Sequence, residues 1–153
     1  VIERIVNVLS DLQLVQVEAG CTICPADTTE TYVNLVELGQ IIVPTLERYF
    51  IVSELLDHHT QTTLRELESN AAQIGHRLSA FYVINAPEFF DKSLFSAFIT
   101  TLKARGLVNT GPDDLTVNRA FTGLKQSLQD AMDPDLMINV RQSVHRQLGK
   151  RNP

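Results

Sequence analysis

In residues 77–98, RLSAFYVINAPEFFDKSLFSAF, the turn NAPEFFDK separates two apolar segments with helical periodicity and so predicts where one helix ends and the next begins. Asn85 can bond to its local backbone, Pro87 suits a turn or a first helical position, and Asp91 stands where an N-cap is expected. Two aromatic side chains in the turn can wedge between the helices. We therefore interpret the turn as a structural elbow rather than a site of chemistry; its residues are Asn85, Pro87, Phe89, Phe90 and Asp91.

The segments outside the elbow predict a mainly α fold with two short β-hairpins. Apolar residues recur at helical spacing over six segments, and alternating or turn-rich stretches at 12–24 and 106–118 predict the hairpins. A helix, a hairpin and a helix occur twice in succession, which is consistent with winged-helix-like halves. The predicted helices cover residues 1–12, 28–58, 62–82, 92–105, 119–132 and 134–148.

The longest predicted helix, residues 28–58, is apolar on most of its sides and is therefore expected to be the central helix. Asp27 and Glu30 have the spacing of a capping box at its start, and Thr63 with Glu66 has that spacing at the next helix. Pro44 should kink or split the long helix, because proline lacks the backbone donor and crowds the preceding turn.

Composition and length bound the domain organisation and the class of protein. The 153 residues fit one domain, with possible sub-units 1–60 and 91–153 joined by residues 61–90, and a first residue other than Met suggests a fragment of a larger protein. A formal net charge of −5 argues against nucleic acid as a partner. No apolar run approaches the roughly 20 residues of a membrane-spanning helix.

Candidate catalytic and metal-binding patterns in the chain are isolated. Cys21 and Cys24 form a lone C-x-x-C that precedes the predicted helix, and no second pair completes a zinc site, so we interpret them as structural. The four histidines are not spaced as metal pairs. No nucleophile motif and no phosphate-binding glycine loop occurs, so no catalytic residue, metal or cofactor is predicted.

The C-terminal stretch RQSVHRQLGKRNP is the one basic cluster in this acidic chain. Its cations can complement the negative end of the last helix, which is the simpler interpretation. They can alternatively contact an anionic lipid surface or another part of a larger protein. The four cations are Arg141, Arg146, Lys150 and Arg151.

The run RLSAFYVINAPEFFDKSLFSAFITTLKARG, residues 77–106, resembles the C-terminal region of the bacterial membrane-bound glycerol-3-phosphate 1-O-acyltransferases. Upstream, TLERYFIVSELL and TLRELESNAAQIGHRL are similar to the same family more loosely, so the resemblance covers roughly residues 38–108. It implies a parent enzyme that acylates the first hydroxyl of glycerol 3-phosphate from acyl-CoA or acyl-carrier protein. It also implies the cytoplasmic face of the bacterial inner membrane as the location.

The resemblance carries no catalytic residue onto this chain. The family's H-x-x-x-x-D motif supplies a general base and its orienting Asp, but the residues five places after the four histidines are Thr63, Leu64, Phe81 and Lys150. The chain is therefore expected to be a non-catalytic C-terminal domain that scaffolds, docks on or regulates the parent's catalytic domain. One alternative is a free-standing winged-helix-like binding module or transcriptional regulator, which the acidic composition opposes. A third option is a small thiol protein built on Cys21 and Cys24.

Overall fold

A computed structural model describes residues 2–58, 62–82, 91–111 and 114–149. Over these residues the chain forms helices and two antiparallel two-stranded hairpins, so the predicted mainly α class is confirmed. In chain order the elements are α1 (Ile2–Asp11), β1 (Gln16–Glu18), β2 (Cys21–Ile23), α2 (Glu30–His58), α3 (Leu64–Tyr82), α4 (Lys92–Ala104), β3 (Val108–Thr110), β4 (Leu115–Val117), α5 (Arg119–Asp130) and α6 (Pro134–Gly149).

The chain divides into two compact units at the middle of α2. Unit 1 is Val1–Val43 and unit 2 is Pro44–Pro153. Helix α2 continues through Pro44, so the proline does not split the helix in two, although the boundary between the units falls there.

In unit 1, tight backbone turns connect α1 to the first hairpin. Gln13 lies in the left-handed region with φ 58°, while its N–H bonds to Ser10 O and Leu14 N–H bonds to Leu9 O, which closes α1 with a Schellman motif. Ala19 and Gly20 also have positive φ, as the two-residue turn of a twisted hairpin requires. Gln13 and Ala19 are not glycines, so each of these two turns carries backbone strain.

Helix α2 begins slightly later than the predicted capping box implies. Thr29 Oγ1 accepts a hydrogen bond from Tyr32 N–H at 3.2 Å and donates one to Ala26 O, so Thr29 supplies the cap and the Asp27 prediction is wrong. The cause is local: the Thr29 hydroxyl, one residue before the first helical turn, accepts directly from one of the free N–H groups, that of Tyr32.

The core of unit 2 surrounds the second half of α2. Between Glu47 and Leu56 almost every residue of α2 is buried, and this half is the central helix that the sequence predicted. The first half of α2 is largely exposed, so the prediction is wrong there. The core also takes apolar side chains from α3 to α6 and from the second hairpin; the largest fully buried ones include Phe50, Phe95, Leu67, Ile74, Ile99 and Leu115.

Local capping defines the ends of the helices in unit 2. Thr63 and Glu66 form the predicted reciprocal capping box at α3, with Thr63 N–H 3.1 Å from Glu66 Oε2. Asn118 Oδ1 accepts from Ala120 N–H at the start of α5, and Asp133 Oδ1 accepts from Asp135 N–H at the start of α6. These bonds satisfy backbone donors that the helices themselves leave free.

Candidate functional site

Of the five residues of the predicted elbow, Asp91 is the one that the structure describes. Asp91 Oδ1 accepts a hydrogen bond from Ser93 N–H at 2.8 Å, so Asp91 is the N-cap of α4, as predicted. Hydrogen bonds from the side chain and the backbone of Ser93 hold the pKa of Asp91 below its ordinary value. The other four elbow residues, Asn85, Pro87, Phe89 and Phe90, lie outside the described residues, and their role stays a prediction.

Helices α3 and α4, on either side of the elbow, are joined by polar contacts, and an aromatic pair joins α4 to α2. Glu68 accepts a hydrogen bond from Ser96 Oγ at 2.6 Å and pairs with Lys92 Nζ at 3.6 Å. On α4, the ring of Phe98 stacks on that of Tyr49 from α2 with 3.9 Å between centroids. These contacts hold the start of α4 against α3 and the helix against the core.

A buried carboxylate on α2, which the sequence did not single out, is the centre of the densest charged cluster in the described part of the chain. Glu54 is 1% exposed, and its Oε1 lies 3.0 Å from Lys125 Nζ of α5 and 3.6 Å from Arg141 Nε of α6. Lys125 donates its hydrogen bond to the half-exposed Asp57 at 2.6 Å, so its contact with Glu54 Oε1 is an ion pair without a hydrogen bond. Charge pairs around Glu54 thereby connect α2, α5 and α6. We call this group the Glu54 cluster; its members are Glu54, Asp57, Lys125 and Arg141.

Two histidines extend the Glu54 cluster. His58 Nε2 lies 3.6 Å from Glu54 Oε2, and the His58 ring lies 4.9 Å from that of His145 on α6. From the sequence, His58 was placed beside His59 at a helix end and His145 was isolated, because a separation of 87 positions gives no local pattern. Their proximity joins the end of α2 to α6.

The basic tail is described only in part. Arg141 pairs with Glu54, and its guanidinium lies 5.7 Å from the centroid of the Phe50 ring, within cation–π range. Arg146 lies in the last turn of α6, while Lys150 and Arg151 lie outside the described residues. Arg141 therefore has a structural role inside unit 2, and lipid contact by the tail stays a prediction.

A second polar cluster joins α3 to α6. Gln147 Nε2 donates to Asn70 Oδ1 at 3.2 Å and to Gln73 Oε1 at 2.8 Å, while Gln147 Oε1 accepts from Arg77 Nη2 at 2.6 Å. Asn70 and Gln147 are buried. Because buried amides are costly when unpaired, this cluster favours one register of the two helices over its neighbours.

An open cavity of about 430 Å³ lies beside this cluster on α3. Arg77 and Lys92 bring positive charge to it, but Arg77 donates to Gln147 and Lys92 pairs with Glu68. Both cations therefore already have partners within unit 2, and the described lining of the cavity offers no charge that is left for a ligand. The lining residues are Ser69, Ala72, Gln73, His76, Arg77 and Lys92.

Glu47 is a second buried carboxylate, one helical turn before Phe50 on α2. It is 2% exposed, and its Oε1 has no hydrogen-bond partner among the described residues. Burial raises the pKa of Glu47 to about 7, partly opposed by the charge of Arg48. The sequence shows that Glu47 lies in an apolar stretch. It does not show that the second half of α2 is buried while the first half is exposed.

The cysteine pair lies in unit 1 and is exposed. Cys21 lies opposite Glu18 in the register of the first hairpin, and Cys24 directly follows β2. Both thiols are free. Within the ranges the structure describes, no group of three or more His, Cys, Asp or Glu side chains could hold a metal ion. Nor is any helix of those ranges long and apolar enough to cross a membrane.

Taken together, the fold and its polar clusters define a helical domain whose buried charged and amide side chains connect helices to one another. The profile of a family described as the glycerol-3-phosphate acyltransferase C-terminal region matches residues 1–111. The chain belongs to this family, as the resemblance of residues 77–106 implied. No solved structure matches the chain.

Curated relatives carry the name glycerol-3-phosphate acyltransferase. That of Pseudomonas entomophila is 32% identical over 158 residues, which cover 100% of this chain and 19% of the relative. That of Pseudomonas putida is 35% identical over 97% of this chain and 19% of its own length, and that of Pasteurella multocida is 45% identical over 65% of this chain and 12% of its own. The chain thus spans less than a fifth of each of these relatives.

Proposed function

We propose that this chain is the non-catalytic C-terminal domain of a glycerol-3-phosphate 1-O-acyltransferase, and that it scaffolds, docks on or regulates the catalytic domain. The parent would transfer an acyl chain from acyl-CoA or acyl-carrier protein to the first hydroxyl of sn-glycerol 3-phosphate, at the cytoplasmic face of the bacterial inner membrane. This is the committing step of phospholipid synthesis. The observation that carries the proposal is the match of residues 1–111 to the C-terminal region of that family.

The chemistry of acyl transfer supports a non-catalytic role for this chain. Removing the proton from the glycerol hydroxyl needs a positioned general base, and the family's H-x-x-x-x-D pattern is not met at any of the four histidines. His58 instead lies beside Glu54 in a cluster that joins helices. We infer that the chain by itself does not transfer acyl groups.

Two partners follow from the proposal. The first is the catalytic domain of the same polypeptide. The second is an anionic lipid surface, contacted by the basic tail; Arg146, Lys150 and Arg151 are better suited to it than Arg141, because Arg141 already pairs with Glu54.

The test compares the purified 153-residue chain with the full-length protein in an assay of acyl transfer from acyl-CoA to glycerol 3-phosphate. We expect transfer by the full-length protein and none by the chain, with circular dichroism confirming that the chain is helical. A full-length protein without residues 1–153 should lose or change its activity. Acyl transfer by the chain alone would contradict its non-catalytic role, and an inactive full-length protein would contradict the parent activity.

A further inference from the structure

Exposed apolar side chains are concentrated in unit 1. Among the described residues, thirteen large hydrophobic side chains are exposed, and ten of these lie in the 43 residues of unit 1. The 110 residues of unit 2 contribute Leu94, Val117 and Ile138. We call the ten the apolar surface: Ile5, Val8, Leu12, Val17, Ile23, Val33, Val36, Leu38, Ile41 and Ile42.

The apolar surface follows the geometry of the elements that carry it. Ile5 and Val8 on α1 and Leu12 directly after it recur at intervals of three and four residues, so they form one stripe. On the first half of α2, Leu38, Ile41 and Ile42 have the same helical spacing, and Ile41 is 73% exposed. A ten-residue helix such as α1 is marginal in water unless its apolar face is covered. Stripes of this kind are typical of helices that pack against another surface.

Charge distinguishes unit 1 from the rest of the chain. Residues 1–43 contain Arg4 as their one basic residue and six acidic residues, so they carry all of the formal net charge of −5. Residues 44–153 contain twelve of each sign and are neutral. The acidic side chains are Glu3, Asp11, Glu18, Asp27, Glu30 and Glu37.

The exposed apolar side chains and the negative charge of unit 1 together indicate which kind of partner can bind the apolar surface. An anionic lipid surface would be repelled by the acidic residues, and a second copy would bring five further negative charges against the first five. A protein surface that is apolar at its centre and basic at its rim satisfies both features. More than four-fifths of the length of these relatives lies outside the region that this chain matches. The rest of such a polypeptide is long enough to supply this protein surface.

We propose that the apolar surface of unit 1 docks against a basic-rimmed apolar face of the acyltransferase domain of the same polypeptide. This inference rests on the proposed function and adds to it the face that makes the contact. Unit 1 is the docking element, while unit 2 supplies its own core.

Zero-length cross-linking with a carbodiimide in the full-length protein tests the proposal, because this reagent joins carboxylates to amines in direct contact. We expect the acidic residues of unit 1 to be joined to lysines outside residues 1–153 of the same polypeptide. Mixing isotopically light and heavy protein separates links within one polypeptide from links between two. Links predominantly between copies, or no links from unit 1 to lysines outside the chain, would overturn the proposal.

Hydroxyl-radical footprinting of the same sample gives an independent readout with an internal control. Side chains of the apolar surface should be oxidised several-fold more slowly than Leu94, Val117 and Ile138, which have similar exposure in the chain. Equal rates for the two groups would overturn the proposal. So would protection that appears only after phosphatidylglycerol vesicles are added, since that result would assign the surface to lipid.

A matched pair of variants completes the test. Ile42 and Ile138 are the same residue type with 53% and 51% exposure. Ile42→Arg places a cation in the apolar contact, inside the basic rim, and should abolish the protection and the cross-links, whereas Ile138→Arg should leave both unchanged. Equal effects of the two changes would contradict docking through unit 1. Acyl transfer by the wild-type sample is measured in parallel, so failure of the proposed function is distinguished from failure of the docking surface.

Discussion

Glu47 shows how a single buried carboxyl can make the stability of this domain depend on pH. Its folded-state pKa of about 7 lies above the ordinary value of 4.5, because burial disfavours the charged form. The unfolded chain therefore loses this proton first as the pH rises, and the folded state is destabilised progressively between pH 4.5 and 7. The loss is complete above pH 7 and is on the order of 3 kcal/mol.

Glu47→Gln should remove this pH dependence. We expect the variant to match the wild type near pH 4.5 and to be more stable at pH 8, with a difference of up to about 3 kcal/mol. Urea unfolding at the two pH values measures it. Glu37→Gln, an exposed position on the same helix, is the control and should change little. Parallel pH dependence in the wild type and the Glu47 variant would contradict the assignment.

At the scale of elements, the Glu54 cluster makes the attachment of α5 and α6 to α2 depend on charge pairing. Lys125 is 16% exposed and lies 3.0 Å from a carboxylate that is almost fully buried. Removing it leaves Glu54 with its longer contacts to Arg141 and His58. A buried charge that loses a close partner is strongly destabilising, whereas loss of an exposed pair is not.

Lys125→Ala should accordingly cost about 3 kcal/mol of unfolding free energy. Lys92→Ala is the matched control, because Lys92 also pairs with a glutamate but is 51% exposed, and it should cost less than about 1 kcal/mol. Adding Glu54→Gln to Lys125→Ala should restore part of the loss by removing the uncompensated charge. Denaturant midpoints at pH 7 give all three values, and equal losses for the two lysine variants would show that burial of Glu54 is not the cause.

Sequence reasoning succeeded where the deciding interaction is local and failed where it is distant. The capping box of Thr63 with Glu66 and the N-caps at Asp91 and Asn118 each involve residues two or three positions apart, so spacing predicts them. The pairing of Glu54 with Lys125 and the meeting of His58 with His145 depend on how helices pack, which no spacing rule encodes.

The two halves of α2 illustrate a second limit on what sequence predicts. Both are rich in apolar residues, so the whole helix was expected to be central, yet only the half after Pro44 is buried. An apolar pattern indicates that a face needs covering, but it does not say whether the cover lies within the same chain. The exposed first half is the feature on which the docking proposal depends.

At the scale of the whole molecule, stability is divided unequally between the two units. Of the buried hydrophobic residues in the described part of the chain, Val15 belongs to unit 1 and the remaining twenty to unit 2. Unit 1 also contains two non-glycine residues at positive φ, Gln13 and Ala19. Because few buried contacts mean a low local free energy of opening, unit 1 of the 153-residue chain should open without unfolding unit 2.

Amide hydrogen exchange of the 153-residue chain measures this difference. We expect amides of α1 and the first hairpin to exchange far faster than those of α3 and α4. Val15→Ala should accelerate exchange in unit 1 alone, whereas Phe95→Ala, at a fully buried position, should lower the stability of unit 2 by about 3 to 5 kcal/mol. If Val15→Ala instead destabilises both units equally, the chain unfolds as one cooperative body and the separation is refuted. The docking proposal predicts this separate opening of unit 1. If another domain covers the apolar surface, the contacts that stabilise unit 1 lie outside these 153 residues and are absent from the isolated chain.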